Sequence, residues 1–327
     1  TEGGNWEGHS ILWRPVRGDL LRPAEVEAAR TALAARRATR VRPGLDDKVL
    51  AEWNAMAVAA LAEAGAAFDR PDWVAAAADT ADYLLDELRR PDGRWLRARG
   101  TTYPAYAADH AWLVEAFTRL AEATGQARWV EEARAAADAL IALFWDQAAG
   151  GFATTGSDAE ALIARPKDTY DGALPSANST AAAALTRLGA LTGEERYDGH
   201  AQAVVDAMRP AMARASVAFS GLVVTADLLA AGSVEVAITG DRPDLVAVTR
   251  RGWRPQQVLA WGEPYPSPLW EGREGPDSSG LAFVCRKFAC DAPVADPAAL
   301  EAGLSAACHS PSGPSDHPPH LGPDTQR

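Results

Sequence analysis

The chain has 327 residues, of which 47 % are hydrophobic and 23 % are charged, the balance expected for one large folded domain plus a smaller one. Its formal net charge of −12 argues against a nucleic-acid backbone or an anionic membrane surface as the main partner. No run of the sequence approaches the ~18 apolar residues that a membrane-spanning helix needs, and no secretory leader is evident, so we expect a cytoplasmic protein.

The start of the chain and its few cysteines carry further expectations. The segment TEGGNWEGHSIL, which begins at Thr1, is typical of the interior of a larger protein, so we expect a fragment. Cys285, Cys290 and Cys308 are too few for a disulfide scaffold and fit a reducing compartment. Strand alternation places Cys285 and Cys290 on opposite faces, which predicts buried structural thiols. The histidines are scattered, and we expect neither a metal site nor a cofactor.

Helical patterns follow one another along most of the chain. The first covers 24–40 and ends at Pro43-Gly44, after which Asp46 or Asp47 is predicted to cap the next helix. Apolar periodicity then predicts antiparallel helix pairs, stacked side by side as hairpins. Their later helices are predicted near 72–90, 108–124, 128–145, 176–192, 194–214 and 216–231.

The pattern changes near residue 233. SVEVAITG and PQQVLAWG are predicted to be strands around a helix, GLAFVCRKFAC a third strand, and DPAALEAGLSAA a terminal helix. We therefore predict a helical domain over 1–232, a βαββα module over 233–308 and a disordered tail over 309–327.

Three helices carry a polar residue in line with the apolar stripe at their start, namely Asn54, Asp109 and Asn178. A buried carboxylate without a partner costs several kcal/mol, so these residues either brace neighbouring loops or line a wet cavity. The residue types also suit helix capping, and the sequence leaves both alternatives open. Converging helix starts of this kind predict a ring of helices around a polar centre.

Aromatic and hydroxyl-bearing residues near these three suit a sugar or another polyol, because carboxylates and amides bind hydroxyl groups while aromatic rings cover the C–H face. Glycoside hydrolysis needs two carboxylates, and the candidates are Asp109 as acid or base with Asp47 or Asp171 as the second. The candidate substrate-binding residues are Trp53, Asn54, Tyr106, His110, Ser176, Asn178 and Ser179. For Asp47, plain helix capping is the competing interpretation, and for Trp53 a wedge between helices.

Several blocks, in this order, resemble one family: GNWEGHSIL, LDDKVLAEWNAMAVAALAEAG, YAADHAWLVEAF, DGALPSANSTAAAALTRLGALTG and FVCRKFACDAPVADP. The chain is similar to the thioredoxin-domain-containing proteins of the YyaL type, which include the spermatogenesis-associated relatives. The resemblance implies a C-terminal portion that lacks the thioredoxin-like domain and the first helical hairpins. It also implies an (α/α)6 toroid like that of six-hairpin glycosidases, hence a carbohydrate-related role by fold analogy.

The resemblance implies pocket positions at Asp47, Lys48, Trp53, Asn54, Asp109, Ser176, Asn178 and Ser179. The chain departs from the family at Ala55 and Ala177, where glycine is usual, and the added methyl groups narrow the space there. The paired histidines of sugar 2-epimerases have no counterpart, which disfavours that reaction.

Together these features predict a mainly α chain, a partial (α/α)6 toroid of helical hairpins followed by a small α/β module. The predicted function is a carbohydrate-active or carbohydrate-binding domain of a thioredoxin-linked protein, without an assigned reaction. Its expected partners are a sugar or polyol and the thioredoxin-like domain that this chain lacks. The alternative is a non-catalytic helical scaffold that presents the thioredoxin-like domain to client proteins.

Overall fold

The computed structural model describes residues 3–11, 23–160, 163–273, 275 and 278–309. The chain divides into two compact units, the first of which ends at Asp47. Helix α1 (Ala24–Ala38) belongs to the first unit and has no buried residue. The second unit begins at Lys48 and contains both the helical hairpins and the sheet. The predicted disordered tail lies outside the described residues, except for His309, which ends the last helix.

Three helical hairpins open the second unit, and each pairs an inner helix with an outer one. The pairs are α2 (Ala51–Ala67) with α3 (Pro71–Leu88), α4 (Ala107–Thr124) with α5 (Ala127–Phe144), and α6 (Ala177–Thr192) with α7 (Glu195–Arg214). A short 3-10 turn then leads into α8 (Ser220–Ala231). Helices α2, α4, α6 and α8 pack side by side in that order, so they form the inner layer. The prediction of a mainly α chain of helical hairpins is confirmed.

The inner helices are buried nearly all round, whereas the outer helices bury one stripe. Every residue of α6 except Ala183 is buried, and many are alanine or other small residues that let neighbouring backbones approach. Large side chains fill the space towards the outer helices, where the rings of Phe117 and Trp129 stack 5.8 Å apart. Burying a side chain such as Phe117 contributes about 1.5–3 kcal/mol relative to leaving it exposed. None of the described helices is long and apolar enough to cross a bilayer.

Replacing either of two glycines by alanine, one inside a helix and one after a helix, should change the stability of the protein in opposite directions. Gly193 ends α6 with a φ of 76°, and a Cβ there would lie 2.5 Å from Pro268 Cδ. Gly199 lies inside α7 with open space where a Cβ would go. We expect Gly193→Ala to lower the free energy of unfolding by at least ~1–2 kcal/mol and Gly199→Ala to raise it by ~0.5–1 kcal/mol. Urea unfolding of both variants checks this, and effects of the same sign would contradict it.

The C-terminal module is a four-stranded mixed sheet with two helices. Its elements are β1 (Val234–Ile238), α9 (Pro243–Arg250), β2 (Gln257–Ala260), β3 (Ala282–Arg286), β4 (Ala289–Cys290) and α10 (Pro297–His309). The strand order is β2-β1-β3-β4, with β1 parallel to β2 and antiparallel to β3. Val234, Val236 and Ile238 pack in the core formed with α9 and α10, whereas Ala237 joins the core of the hairpins. The predicted small α/β module is confirmed.

The predicted third strand over 280–290 is wrong, because it is a hairpin of β3 and β4. Lys287 and Phe288 both have positive φ, 49° and 63°, and form a two-residue turn. The turn places Cys285 directly opposite Cys290, so that the two side chains share a face and form a disulfide. The prediction of structural thiols on opposite faces is therefore wrong, since strand alternation cannot be counted through a turn. Neither turn residue is Gly, Asn or Asp, so the usual hairpin signal is absent from the sequence.

Candidate functional site

Asp109, near the start of α4, joins the first two inner helices. Its carboxylate is fully buried, and its Oδ2 accepts a hydrogen bond of 2.7 Å from the backbone N–H of Tyr106. Its Oδ1 accepts from the backbone N–H of Glu52 at 2.9 Å and from Arg97 Nη1 at 2.7 Å. The same Arg97 nitrogen donates to Glu52 Oε2 at 2.7 Å. Asp109 thus caps its own helix, caps α2 and serves as the charge partner of Arg97.

Burial is the main influence on the pKa of Asp109. It raises this pKa to about 6, against the opposing effects of Arg97 and of the N–H groups of Tyr106 and Glu52. The folded protein therefore holds this proton more tightly than the unfolded chain does. The stabilisation from Asp109 is fully present below the unfolded pKa of ~3.9 and is lost as the pH rises through about 6.

The start of α2 differs from the prediction that Asp46 or Asp47 caps it. The helix begins at Ala51, its N-cap position is Leu50, and no side chain of its own caps it. Asp109, which lies on α4, caps this helix instead, because its carboxylate accepts a hydrogen bond from the backbone N–H of Glu52. Asp47 is an exposed residue of the first compact unit, and its catalytic assignment stays a prediction.

Asn178 ties the start of α6 to two loop segments. Its Oδ1 accepts from the backbone N–H of Phe152 at 2.7 Å. Its Nδ2 donates to the carbonyl oxygens of Phe152, at 2.9 Å, and of Asp168, at 2.7 Å. Asn178 and Phe152 are both fully buried. Both polar atoms of this amide therefore form their hydrogen bonds with backbone groups inside the protein.

Asp171 connects the loop before α6 to the start of α8. Its Oδ1 accepts from the backbone N–H of Ser176 at 2.9 Å, and its Oδ2 accepts from that of Gly221 at 2.7 Å. Burial acts to raise the pKa of Asp171, but hydrogen bonds from Ser176, Ser179 and Gly221 outweigh it and lower the pKa. Ser176 is the N-cap of α6 and accepts from the backbone N–H of Ser179 at 3.1 Å.

The remaining predicted substrate residues divide into buried and exposed ones. His110 is fully buried, its Nδ1 donates to Tyr106 O at 3.1 Å, and burial lowers its pKa to about 4, so the imidazole is neutral. Asn54 donates from Nδ2 to Leu50 O at 2.8 Å. Trp53 and Tyr106 keep 55 % and 40 % of their surface exposed. For Asp109 and Asn178 the contacts favour the bracing alternative. The catalytic assignments of Asp109 and Asp171 and the substrate-binding assignment of Asn178 stay predictions.

A cleft of about 340 Å³ opens towards the opposite, C-terminal ends of the inner helices. Its walls come from α2, α4, α6 and α8 on one side and from residues 249–259 of the α/β module on the other. None of the predicted site residues lines this cleft.

Charged side chains of three inner helices pair with one another along the helical wall of the cleft. Arg119 lies 2.6 Å from Glu115 and 3.1 Å from Glu63, and Arg187 lies 3.3 Å from Glu122. Burial acts to raise the pKa of Glu115, but the positive charges of Arg119 and Arg187 outweigh it and lower the pKa. This carboxylate is therefore ionised at neutral pH and already has a charge partner.

Three residues on the module side of the cleft each have a buried polar atom without a partner among the described residues, namely Arg250 Nε, Arg254 Nη1 and Gln257 Oε1. The rest of each side chain is anchored. Arg250 donates to Ala123 O at 2.8 Å, Arg254 to Glu301 at 2.5 Å, and Gln257 to a backbone carbonyl at 2.9 Å. Because buried polar groups are nearly always hydrogen-bonded, three free atoms around one cleft indicate a place for water or a ligand.

An aromatic side chain stands at the rim of the same cleft. Trp253 is 85 % exposed and lies in the loop between α9 and β2. Sequence reasoning missed this residue because it placed Trp253 at the end of the helix predicted between SVEVAITG and PQQVLAWG, whereas residues 251–256 form a loop. The spacing of Glu115, Arg119 and Glu122 on α4 was the available signal for a charged inner face.

No protein-family profile matches the chain. Spermatogenesis-associated protein 20 from Homo sapiens is 29 % identical, over 91 % of this chain and 42 % of its own length. This chain is homologous to spermatogenesis-associated protein 20. It spans about two fifths of the length of the curated relatives it matches. The predicted relationship to the spermatogenesis-associated proteins is confirmed.

Two solved structures of carbohydrate enzymes align with about half of this chain. Cellobiose 2-epimerase from Spirochaeta thermophila has a TM-score of 0.41 and 16 % identity, covering 50 % of this chain and 43 % of that chain. A glycoside hydrolase family 76 mannosidase from Bacteroides thetaiotaomicron has a TM-score of 0.43 and 13 % identity, covering 50 % of this chain and 45 % of that chain.

Proposed function

We propose that this chain is the carbohydrate-binding helical part of a larger protein, and that the cleft beside residues 249–259 takes a sugar or polyol. The observation that carries the proposal is that three residues with unpartnered polar atoms line the same cleft as the exposed Trp253. A saccharide presents hydroxyl groups that donate and accept hydrogen bonds, and an apolar C–H face. Arg250, Arg254, Gln257 and Trp253 all line this cleft. Arginine side chains can donate to hydroxyl groups, a glutamine oxygen can accept from them, and a tryptophan ring can cover the C–H face.

Binding fits the cleft better than glycoside hydrolysis does. Hydrolysis requires a carboxylic acid that is protonated near neutral pH and can reach the glycosidic oxygen. Glu115 has a lowered pKa and an arginine partner, so it does not meet the first condition. Asp109 has a pKa of about 6, but it is fully buried and both of its oxygens accept hydrogen bonds inside the protein.

A second candidate is a non-catalytic scaffold that presents a thioredoxin-like domain of the same larger protein. The observation that favours it is the complete internal use of Asp109 and Asn178, which brace the starts of three inner helices. Such a scaffold needs rigidity and no occupied cleft. The two candidates therefore differ in whether a saccharide binds.

Two exposed tryptophans at opposite ends of the inner helices test where a saccharide binds. We expect glucose, cellobiose, glucuronic acid or inositol to raise the melting temperature of the wild type in a thermal-shift screen. A ligand at 100 times its Kd stabilises a protein by about 2.7 kcal/mol. Trp253→Ala should abolish this shift, because it removes the ring at the rim of the cleft.

Trp53→Ala is the matched control, since Trp53 is also exposed and lies at the N-terminal end of α2. It should leave the shift unchanged. Loss of the shift in Trp53→Ala with retention in Trp253→Ala would place the ligand at the N-terminal ends instead. No shift with any of the four compounds would favour the scaffold.

A further inference from the structure

The hairpin of β3 and β4 carries a disulfide in a setting that differs from a buried structural crosslink. Cys285 is buried, whereas its partner Cys290 is exposed on the short edge strand β4. The two residues are directly opposed next to the two-residue turn, so the bond closes only a short loop. A loop this short gives a disulfide less entropic stabilisation of the fold than a long loop does. The crosslink is thus accessible from the Cys290 side.

A guanidinium group lies against both sulfur atoms. Arg273 Nη2 is 2.8 Å from Cys290 Sγ and 3.6 Å from Cys285 Sγ, and its Nη1 donates to Leu269 O at 2.7 Å. The group also lies 4.2 Å from the centre of the Phe283 ring. Among the described residues no carboxylate forms an ion pair with Arg273, and burial lowers its pKa. Its positive charge is therefore directed at the sulfur atoms.

A buried carboxyl group lies on the same face of the sheet. Glu235 on β1 is directly opposite Cys285 on β3, and residues paired in this way share a face. Burial first and the nearby Asp198 second raise the pKa of Glu235 to about 7, while Phe288 N–H and Arg286 act to lower it. The other charged groups facing this cluster are Lys287 and Glu195, which act on Asp198. A proton donor for a leaving sulfur is therefore present at neutral pH.

We propose that Cys285 and Cys290 form a reversible thiol–disulfide exchange site that accepts electrons from a dithiol, with Arg273 stabilising the Cys290 thiolate and Glu235 supplying a proton to Cys285. This site is independent of the carbohydrate cleft. No saccharide is needed for the exchange.

The exchange proceeds in two balanced steps. A thiolate of the dithiol attacks Cys290 Sγ, the S–S bond breaks, and the electron pair leaves on Cys285 Sγ, which takes a proton from Glu235. The second thiol then attacks the sulfur of the dithiol in the mixed disulfide, which oxidises the dithiol and releases Cys290 Sγ as a thiolate beside Arg273. The dithiol supplies both electrons and releases two protons to solvent. One proton from solvent reprotonates Glu235, and the other stays in solvent because Cys290 remains a thiolate.

The test uses the full chain in dithiothreitol redox buffers, with thiols read out by alkylation and mass spectrometry. We expect the disulfide to form in oxidised buffer and to open in reduced buffer while the circular-dichroism spectrum stays that of the folded protein. After reduction, iodoacetamide should modify Cys290 at pH 7 faster than Cys308, because burial raises the pKa of the Cys308 thiol.

Variants of Arg273 and Glu235 separate a redox role from a packing role. Arg273→Met should slow alkylation of Cys290 at pH 7 about tenfold and make the disulfide about tenfold harder to reduce, which corresponds to ~30 mV. Arg273→Lys keeps the positive charge, so its alkylation rate and its disulfide reduction should lie close to those of the wild type. Glu235→Gln should remove the inflection near pH 7 from the pH profile of the rate at which the disulfide is reduced.

Three outcomes would overturn the proposal. One is a disulfide that opens only when the protein unfolds. Another is a pair of thiols that oxidised dithiothreitol does not join. The third is a pH profile of Cys290 alkylation that is the same in the wild type and in Arg273→Met.

Discussion

Replacing Arg97 by Met is expected to lower the free energy of unfolding by about 3 kcal/mol at pH 8, because it leaves the buried Asp109 carboxylate without its cation. The loss should be smaller at pH 5. Removing Arg97 takes away the main group that lowers the pKa of Asp109, so this pKa rises further above 6 in the folded variant. As the pH falls through that pKa, the carboxyl group takes up a proton and no longer needs the cation.

Arg99→Met is the matched control for this prediction. Arg99 forms an exposed ion pair with Glu87 at 3.2 Å, and its loss should cost less than ~1 kcal/mol at either pH. Urea unfolding of the wild type and both variants at pH 5 and pH 8 gives the free energies of unfolding to be compared. Groups such as Glu235 and Asp198 also titrate in this range, but they do so in variant and wild type alike. An Arg97→Met cost that equals the Arg99→Met cost, or that does not change with pH, would refute the bracing role of Asp109.

Asn178→Asp should lower the free energy of unfolding by a comparable amount, about 3–5 kcal/mol at pH 7. The change keeps the shape of the side chain, but it replaces the amide group that donates to the carbonyl oxygens of Phe152 and Asp168 with a carboxylate oxygen. An unpaired charge would then be buried against two acceptors, which is among the most costly changes in a core. At pH 5 the cost should fall, since a protonated Asp can donate one hydrogen bond again.

Asn54→Asp provides the control for the same chemical change. The Asn54 side chain is only half-buried and donates to the single carbonyl of Leu50. Loss of this hydrogen bond should lower the free energy of unfolding by about 1 kcal/mol in the same experiment. Equal costs for the two variants would mean that Asn178 is not the brace that its contacts indicate.

The helical hairpins could be predicted because a buried stripe at helical spacing is a local property of the sequence. The ranges predicted near 108–124 and 128–145 lie within one residue of α4 and α5. The chemistry at the helix starts was predicted only as a pair of alternatives. The partners that decide between them, the N–H of Glu52 and the N–H of Phe152, come from segments far away in sequence. No periodicity indicates which loop meets which polar side chain.

The hairpin of β3 and β4 and the cleft show two further limits. The turn at Lys287 and Phe288 lacks a residue that favours positive φ, so nothing local indicated that the strand folds back. The cleft requires the charged face of α4 to meet a loop more than 120 residues further along the chain, as the bond from Arg250 to Ala123 O illustrates. Local patterns predict elements, whereas a site between elements depends on tertiary packing.

Hydrogen–deuterium exchange would test most directly whether a saccharide binds at the C-terminal ends of the inner helices. The wild type is compared with and without the compound that gives the largest thermal shift among glucose, cellobiose, glucuronic acid and inositol. The proposed cleft predicts slower exchange in residues 249–259 and at the end of α4. Slower exchange in residues 49–54 and 103–110, with none in 249–259, would contradict it and return the site to the N-terminal ends.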